Sequence, residues 1–144
     1  MRLEFTIPGA PRTKKTHNLL VRVRAGQRLL PSPQFRLWNA EAQMWLAKLR
    51  SESAGLPIAV PVNCTARFYR DAFRGDACGY YQALADALEE ARIVLNDCLI
   101  VAWDGSRLFK DHLNPRIEVE LTATGEEWTA ATHGAMFSDG GTDF

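Results

Sequence analysis

The sequence predicts a single-domain α/β (α+β) fold, in which a mixed β-sheet packs against two main helices. Two segments, 33–52 and the stretch between Asp76 and Asp97, carry apolar residues at helical spacing. Four further segments show the alternation or the β-branched runs of strands: 3–7, 60–69, 98–103 and 117–121. With 144 residues, 47% of them hydrophobic, the chain can build one core without disulfides or a structural metal.

The predicted domain spans residues 1–123. From residue 124 the hydrophobic periodicity is lost, and Gly, Thr, Asp and Glu accumulate. Residues 124–144 are therefore predicted to form a flexible acidic tail.

The charges are unevenly distributed, although the net charge is zero. Residues 1–50 hold ten Lys and Arg and two acidic residues, whereas the remainder holds seven basic and fifteen acidic residues. A basic first half suits contact with a polyanion. The acidic second half suits metal binding or a solvated tail. Scattered surface charge explains the same asymmetry, since such asymmetry is common.

Cysteine usage indicates a reducing compartment, and the hydropathy pattern predicts neither a membrane span nor a signal peptide. Cys64, Cys78 and Cys98 form an odd set without a Cys-x-x-Cys pair, which argues against a disulfide framework and a zinc site. No apolar run approaches the roughly 20 residues that a membrane span needs. The N-terminal residues lack the apolar core of a signal peptide. We therefore expect a cytoplasmic protein with no membrane partner.

Residues 12–31, after the first strand and a Pro-Gly turn, form a basic, irregular segment. Within it, a hairpin is predicted to pair Leu19–Val23 with Gln27–Leu30. Basic side chains in such a polar segment are candidate phosphate contacts, because cations displace counterions from a nucleic-acid backbone. A solvated flexible loop explains the same composition. Together with one arginine further along the chain, the candidates for nucleic-acid binding are Arg12, Lys14, Lys15, His17, Arg22, Arg24 and Arg74.

The first helix has a clear start signal. Ser32 suits the N-cap position and Pro33 the first helical position. Helical spacing continues to about residue 52, before a segment that contains Gly55. The aromatic residues on this helix are predicted to lie in the core or on a dimer face: Phe35, Trp38 and Trp45.

The second helix is the element around which we expect a functional site. Its predicted buried stripe consists of Tyr80, Leu84, Ala87, Leu88 and Ala91. Its opposite face carries Gly79, Gln82 and Asp86, also at helical spacing. One face is thus built for burial, and the other presents polar groups beside two acids.

Asp76 and Asp97 bracket this helix. Two carboxylates placed in this way could share Mg²⁺, which prefers hard oxygen ligands and usually takes one or two carboxylates plus waters and phosphate oxygens. With a basic surface, such a site is the minimum for metal-assisted phosphodiester hydrolysis. Acid pairs at helix ends are more often caps and surface residues, and an N-cap is the structural role open to Asp76.

The order of these features resembles the RusA-type Holliday junction resolvases, small phage and prophage nucleases that cut four-way DNA junctions. The resemblance covers about residues 3–121. It begins with the first strand and the segment IPGAPRTKK, and continues through the Pro-Ser helix start and the long middle strand. In the acidic helix Asp76, the triplet Asp86-Ala87-Leu88 and the pair Asn96-Asp97 fall at the family's spacing. Lys110 and the strand PRIEVEL close the match.

The resemblance implies a metal site with named members. In that family the helix opens with Asp-x-Asp-Asn, has a lysine one turn on and ends at an Asp-Asp pair; the acids bind Mg²⁺ and the lysine assists at the phosphate. Asp76 matches the first acid, and Asp97 matches the second acid of the later pair. The chain departs from the pattern at four positions: Cys78 for the second acid, Gly79 for the Asn, Gln82 for the lysine and Asn96 for the first acid of the pair.

The departures change the expected chemistry. A thiol is a soft ligand and a poor substitute for a carboxylate toward Mg²⁺, and Gln82 can hydrogen-bond a phosphate without neutralising it. Asp104 or Asp86 is a candidate additional ligand, and Lys110 a candidate source of the missing positive charge. Their structural roles would be turn residue for Asp104, exposed helix acid for Asp86 and strand-end charge for Lys110.

The resemblance implies a homodimeric DNA endonuclease of recombination and repair that uses Mg²⁺, with Mn²⁺ as a possible substitute. Its substrate would be branched DNA, such as a four-way junction. The expected catalytic residues are Asp76, Asp97, Lys110 and Gln82, and the expected metal ligands are Asp76, Asp97, Asp104 and Asp86. The alternative is a degenerate member that binds branched DNA without cutting it, because the second acid and the lysine are absent. An unrelated small metabolic enzyme is a third alternative, although the sequence has no nucleotide or nucleophile motif.

Overall fold

The computed structural model describes residues 1–14, 19–23 and 26–127, with side chains for residues 1–14 and 31–127. The elements of the described chain are β1 (Arg2–Pro8), β2 (Leu19–Val23), β3 (Gly26–Leu30), α1 (Pro33–Glu52), β4 (Val62–Arg70), α2 (Ala77–Glu90), β5 (Ile100–Ala102), β6 (Arg107–Lys110) and β7 (Arg116–Ala123). A short 3-10 helix, Asp97–Leu99, precedes β5. The mixed sheet and the two helices confirm the predicted fold class.

Strand β4 is the centre of a five-stranded sheet. It pairs antiparallel with β7, which pairs antiparallel with β1. On its other side, β4 pairs in parallel with β5 near its start and with β6 near its end. Strands β2 and β3 form a separate hairpin, which confirms the predicted pairing of that segment.

The side chain of Ser106 fills the break between β5 and β6. Its Oγ accepts a hydrogen bond from the backbone N–H of Ala66 at 2.9 Å and donates one to the carbonyl of Cys64 at 3.0 Å. The hydroxyl therefore satisfies the polar backbone of β4 where β5 has ended and β6 has not yet begun.

One face of the sheet packs against both helices. Alternate residues of β4 are buried, and those between them are half-buried. The second helix contributes a buried stripe close to the predicted one, namely Tyr80, Ala83, Leu84, Ala87 and Leu88. We call the opposite side of the sheet, which carries Thr65, Arg67 and Tyr69, the polar face.

The start of α1 is confirmed, since Ser32 Oγ accepts a hydrogen bond from the N–H of Phe35 at 3.1 Å. Phe35 and Trp38 are buried in the core, whereas Trp45 is 46% exposed. Of the two predicted environments for these aromatic residues, the core is therefore confirmed for the first two and excluded for Trp45.

Four sequence-based assignments are wrong. Helix α2 ends at Glu90 rather than beside Asp97, because the N–H groups of Ile93 and Val94 turn back to the carbonyl of Leu88. The apolar run 98–103 contains only the three-residue strand β5, and its Val101 is 46% exposed. Strand β4 begins two residues later than predicted, and β6 is not among the predicted strands.

In the part of the chain that the structure describes, no helix is long and apolar enough to cross a membrane. The predicted tail lies outside the described residues from residue 128 onward.

Candidate nucleic-acid interface

Asp76 caps the first turn of α2. Its Oδ1 accepts a hydrogen bond from the N–H of Gly79 at 2.8 Å, which confirms the structural role open to it. A Cβ at Gly79 would lie 2.8 Å from that same oxygen and 3.1 Å from Thr13 Cγ2. The glycine therefore lets the carboxylate and the segment before β2 approach the helix closely. Asp76 itself remains exposed to solvent.

Cationic side chains surround this end of the helix. Asp71 accepts from Arg12 at 3.2 Å and from Arg74 at 3.4 Å. Arg70, at the end of β4, is 8% exposed, and its guanidinium donates to the carbonyls of Phe109 at 3.1 Å and Arg74 at 3.3 Å. Both acceptors are uncharged, so neither of them neutralises the guanidinium. We call the group Arg12, Arg70, Arg74, Lys110, Asp71 and Asp76 the basic end.

Tyr80 reports how closely the arginines converge. Its hydroxyl donates to the carbonyl of Arg74 at 2.7 Å. Burial raises the pKa of Tyr80, and the positive charges of Arg70, Arg12 and Arg74 act against that rise. Arg12 therefore acts on the same phenol as Arg70 and Arg74, although it lies far from them in the sequence.

Lys110 belongs to the same end of the sheet. It pairs in register with Arg70, because β6 runs parallel to β4. Its Nζ lies 5.1 Å from the ring centroid of Phe73, and Arg70 Cζ lies 5.4 Å from the same centroid. Two predicted residues, Lys110 of β6 and Arg74 of the loop before α2, are thus brought to the same end of the sheet.

The other end of α2 is acidic. Asp97 lies there, and its N–H donates to Glu89 Oε1 at 3.0 Å. Glu90 accepts from Asn39 at 3.1 Å. Burial raises the pKa of the Cys98 thiol, and the charges of Asp97 and Glu89 raise it further. We call the group Glu89, Glu90, Asp97 and Cys98 the acidic end.

The structure separates the two acids that were expected to share a metal ion. Asp76 precedes the first residue of α2, and Asp97 is tethered to its last turn, so the helix holds them roughly 20 Å apart at 1.5 Å per residue. No group of three His, Cys, Asp or Glu side chains suited to a metal occurs among the described residues. The residues of one chain therefore do not fit an ion shared by Asp76 and Asp97.

Two other predicted residues bind each other. Lys14 Nζ lies 2.6 Å from Asp86 Oδ2, so this candidate phosphate contact neutralises this candidate metal ligand. Both side chains are partly exposed, and such pairs contribute at most about 1 kcal/mol. Gln82 is exposed on the same side of α2, between Gly79 and Asp86.

Asp104 occupies a turn beside the first half of β4. Its N–H donates to Asn63 Oδ1 at 2.9 Å, and its carbonyl accepts from Thr65 Oγ1 at 2.9 Å. These bonds give Asp104 the turn role expected as its structural alternative. They also place it away from Asp76, at the opposite part of β4.

The polar face carries a ladder of rings and guanidinium groups. The rings of Tyr69 and Phe109 stack with centroids 4.8 Å apart, Arg116 lies 3.8 Å from the Tyr69 centroid and Arg107 lies 5.2 Å from that of Phe109. The hydrogen bond from Arg67 lowers the pKa of Glu118, against an opposing effect of desolvation. The ladder joins β6, β4 and β7 side by side.

Lys15, His17 and Arg24 lie outside the described residues, and so does the side chain of Arg22. The structure adds Arg70, Asp71 and Phe73 to the candidate interface. The sequence signal for them was the polar loop RDAFR between a strand and a capped helix, since an aromatic residue in such a loop has no predicted place in the core.

A comparison of the chain with protein-family models gives no match, and a comparison with curated proteins gives none either.

Proposed function

We propose that this protein is a metal-dependent endonuclease of the RusA type that binds and cuts branched DNA during recombination and repair. The observation that carries the proposal is the convergence of Arg12 and Arg74 on Asp71, with Lys110 against Phe73, in the loop that leads to the exposed Asp76. A cytoplasmic location is consistent with such a substrate.

The basic end suits a phosphate backbone. It holds four cations against two carboxylates, and the ion pairs to Asp71 are partly exposed and therefore weak. A phosphate group can replace Asp71 as the partner of Arg12 or Arg74 at little cost, with release of counterions as the driving force. DNA affinity should consequently fall steeply as the salt concentration rises.

Cutting would require two chains. Because one chain holds Asp76 and Asp97 at opposite ends of α2, both can serve one site only if Asp97 comes from a second copy. Charge stabilisation at the cleaved phosphate is the chemistry that Mg²⁺ or Mn²⁺ supplies in such sites. The proposal therefore links activity to a homodimer.

The exposed side of α1 supports a homodimer. Leu37, Met44 and Trp45 are 62%, 73% and 46% exposed there, which is unusual for large apolar side chains on one helix face. Glu41 and Lys48 border Met44 and Trp45 at equal spacing on either side. In an antiparallel pair of α1 helices with a two-fold axis between residues 44 and 45, each Glu41 lies opposite the Lys48 of the second copy.

The nuclease proposal is tested by nicking of a synthetic four-way junction in Mg²⁺. Wild-type protein should cut the junction, and Asp76→Asn and Asp97→Asn should each fail to cut while they still bind it. Coexpression of the two variants should restore about a quarter of the nicking, because half of the dimers are mixed and each has one intact site. Nicking by Asp76→Asn at the wild-type rate would disprove the role of Asp76, and a mixture as inactive as its parents would exclude a site shared between chains.

The alternative is a protein that binds branched DNA without cutting it. Cys78 favours it, because the exposed first turn of α2 carries a thiol where the resembling nucleases have a second carboxylate. This protein would bind junctions with a steep salt dependence, nick none of them and show no saturable Mg²⁺ or Mn²⁺ site in a calorimetric titration.

The proposed dimer has its own test. Glu41→Lys and Lys48→Glu should each weaken the dimer in sedimentation experiments, because each places like charges opposite one another. The double exchange should restore it. Unchanged sedimentation in both single variants would exclude this dimer interface. It would not contradict the proposed binding of DNA.

A further inference from the structure

The two most exposed large apolar side chains among the described residues lie at the basic end. Phe73 is 77% exposed, and Leu113 is 90% exposed. They sit in different loops, after β4 and after β6, and the hydrogen bond from Asp111 N to Arg70 O at 2.8 Å joins the starts of these loops. Two exposed apolar side chains thus lie in adjoining loops at the same end of the sheet.

Both loops are held in place by hydrogen bonds. Around Phe73, Asp71 is bound by two arginines, and the carbonyl of Arg74 accepts from Tyr80 and Arg70. The carboxylate of Asp111 accepts from the N–H groups of Leu113 and Asn114 and pairs with Arg116 at 2.9 Å. The exposure of Phe73 and Leu113 is therefore a property of anchored loops.

Positive charge flanks the exposed ring. Lys110 and Arg70 lie within 5.4 Å of its centroid, and Arg74 follows it directly in the chain. Proteins that bend DNA combine these two features, with an apolar wedge between base steps and cations on the neighbouring phosphates. A phenyl ring also stacks on any base, since every base has a π-face.

We propose that Phe73, with Leu113 of the adjoining loop, forms a wedge that stacks on a base at the branch point of DNA, while Lys110 and Arg74 bind the adjacent phosphates. This proposal rests on the proposed DNA-binding function and adds the structural feature that is recognised, an unstacked base. Branch points offer such a base at low cost, because their bases are already incompletely stacked. A fully paired duplex would have to pay the whole unstacking energy.

The experiment uses a four-way junction that carries 2-aminopurine at the crossing point, and a linear duplex with the same probe. Binding of the wild type should increase the fluorescence of the junction and leave that of the duplex unchanged, since 2-aminopurine brightens when it loses its stacking neighbours. Phe73→Ala should lose this increase and bind the junction about tenfold more weakly, with duplex affinity unchanged. Phe73→Trp should retain junction affinity.

The matched control is Val101→Ala, which removes an exposed apolar side chain at the far part of the sheet. If Phe73→Ala matched this control in junction affinity and in fluorescence, the proposed wedge would be overturned. Junction binding without any fluorescence increase would also overturn it, and would leave the DNA-binding function standing. Absence of binding to both DNAs would remove the wedge together with the proposed function. The last measurement is binding to phosphatidylserine vesicles. If Phe73→Ala weakened binding to the vesicles and did not change binding to the junction, this surface would be assigned to lipid instead.

Discussion

The two ends of α2 differ in charge and in how they are built. At the basic end the carboxylate of Asp76 lies at a helix N-terminus, where the helix dipole stabilises a negative charge, and Arg70 binds the backbone of the adjoining loop. At the acidic end Glu89 and Glu90 lie in the last turn, where the dipole is unfavourable to them, and the last turn has no basic residue. The comparison shows that acids at the two ends of one helix can occupy different electrostatic environments, favourable at the N-terminus and unfavourable at the C-terminus.

Truncation of the helix core should affect both ends and have the largest effect. Leu84 is fully buried in the middle of α2, so Leu84→Ala should lower the free energy of unfolding by about 2–5 kcal/mol. Chemical denaturation would measure it. Leu113→Ala, the same substitution at a 90% exposed site, is the control and should change stability by no more than about 0.5 kcal/mol. Equal losses in the two variants would contradict the packing of α2.

Removal of the helix cap should affect the basic end alone. Asp76→Ala leaves the N–H of Gly79 without its partner and should cost about 1 kcal/mol. Asp76→Asn keeps the cap, because Asn and Asp are similar N-caps, and should keep the stability of the wild type. Thermal unfolding of both variants therefore separates the structural role of Asp76 from any loss of nicking. A large loss of stability in Asp76→Asn would mean that its charge, and not its cap, is structural.

The cysteines provide a probe of each end and of the core. Cys78 is exposed at the basic end, whereas burial and the charges of Asp97 and Glu89 raise the pKa of Cys98. Burial raises the pKa of Cys64 to about 12. A thiol reagent at neutral pH should modify Cys78 first, Cys98 more slowly because less thiolate is present, and Cys64 only on unfolding. Cys78→Ser should remove the fast phase. If the fast phase remained in that variant, the assignment of the two ends would be wrong.

The polar face should respond to pH by a small amount. The pKa of Glu118 is lowered from 4.5 by Arg67, so its contribution is present above pH 4.5 and is lost as the pH falls through the lowered value. Because the pair is partly exposed, the contribution is about 0.2–1 kcal/mol. The Tm difference between wild type and Glu118→Gln should be positive at pH 7 and vanish in stronger acid. A Tm difference that grows toward low pH would contradict a stabilising role of the ionised Glu118 carboxylate.

Several elements of the fold could be predicted because their causes are local. The cap at Ser32, the cap at Asp76 and the alternation in β4 and β7 depend on residues within a few positions of one another. The end of α2 was mispredicted, since it depends on Ile93 and Val94 turning back to Leu88 and on Val94 pairing with Ile58. That pairing joins residues far apart in the sequence.

By itself, the sequence determined the fold class, the two helices and the acids that bracket α2, because hydrophobic periodicity and capping act over short distances. Only the tertiary structure decided which of the candidate residues meet. It placed Arg12 and Lys110 at the end of the sheet from which the chain leads to Asp76, and it kept Asp97 at the other end of α2. The physical reason is that a helix of 14 residues is a rigid spacer, so residues at its two ends cannot touch one another within one chain.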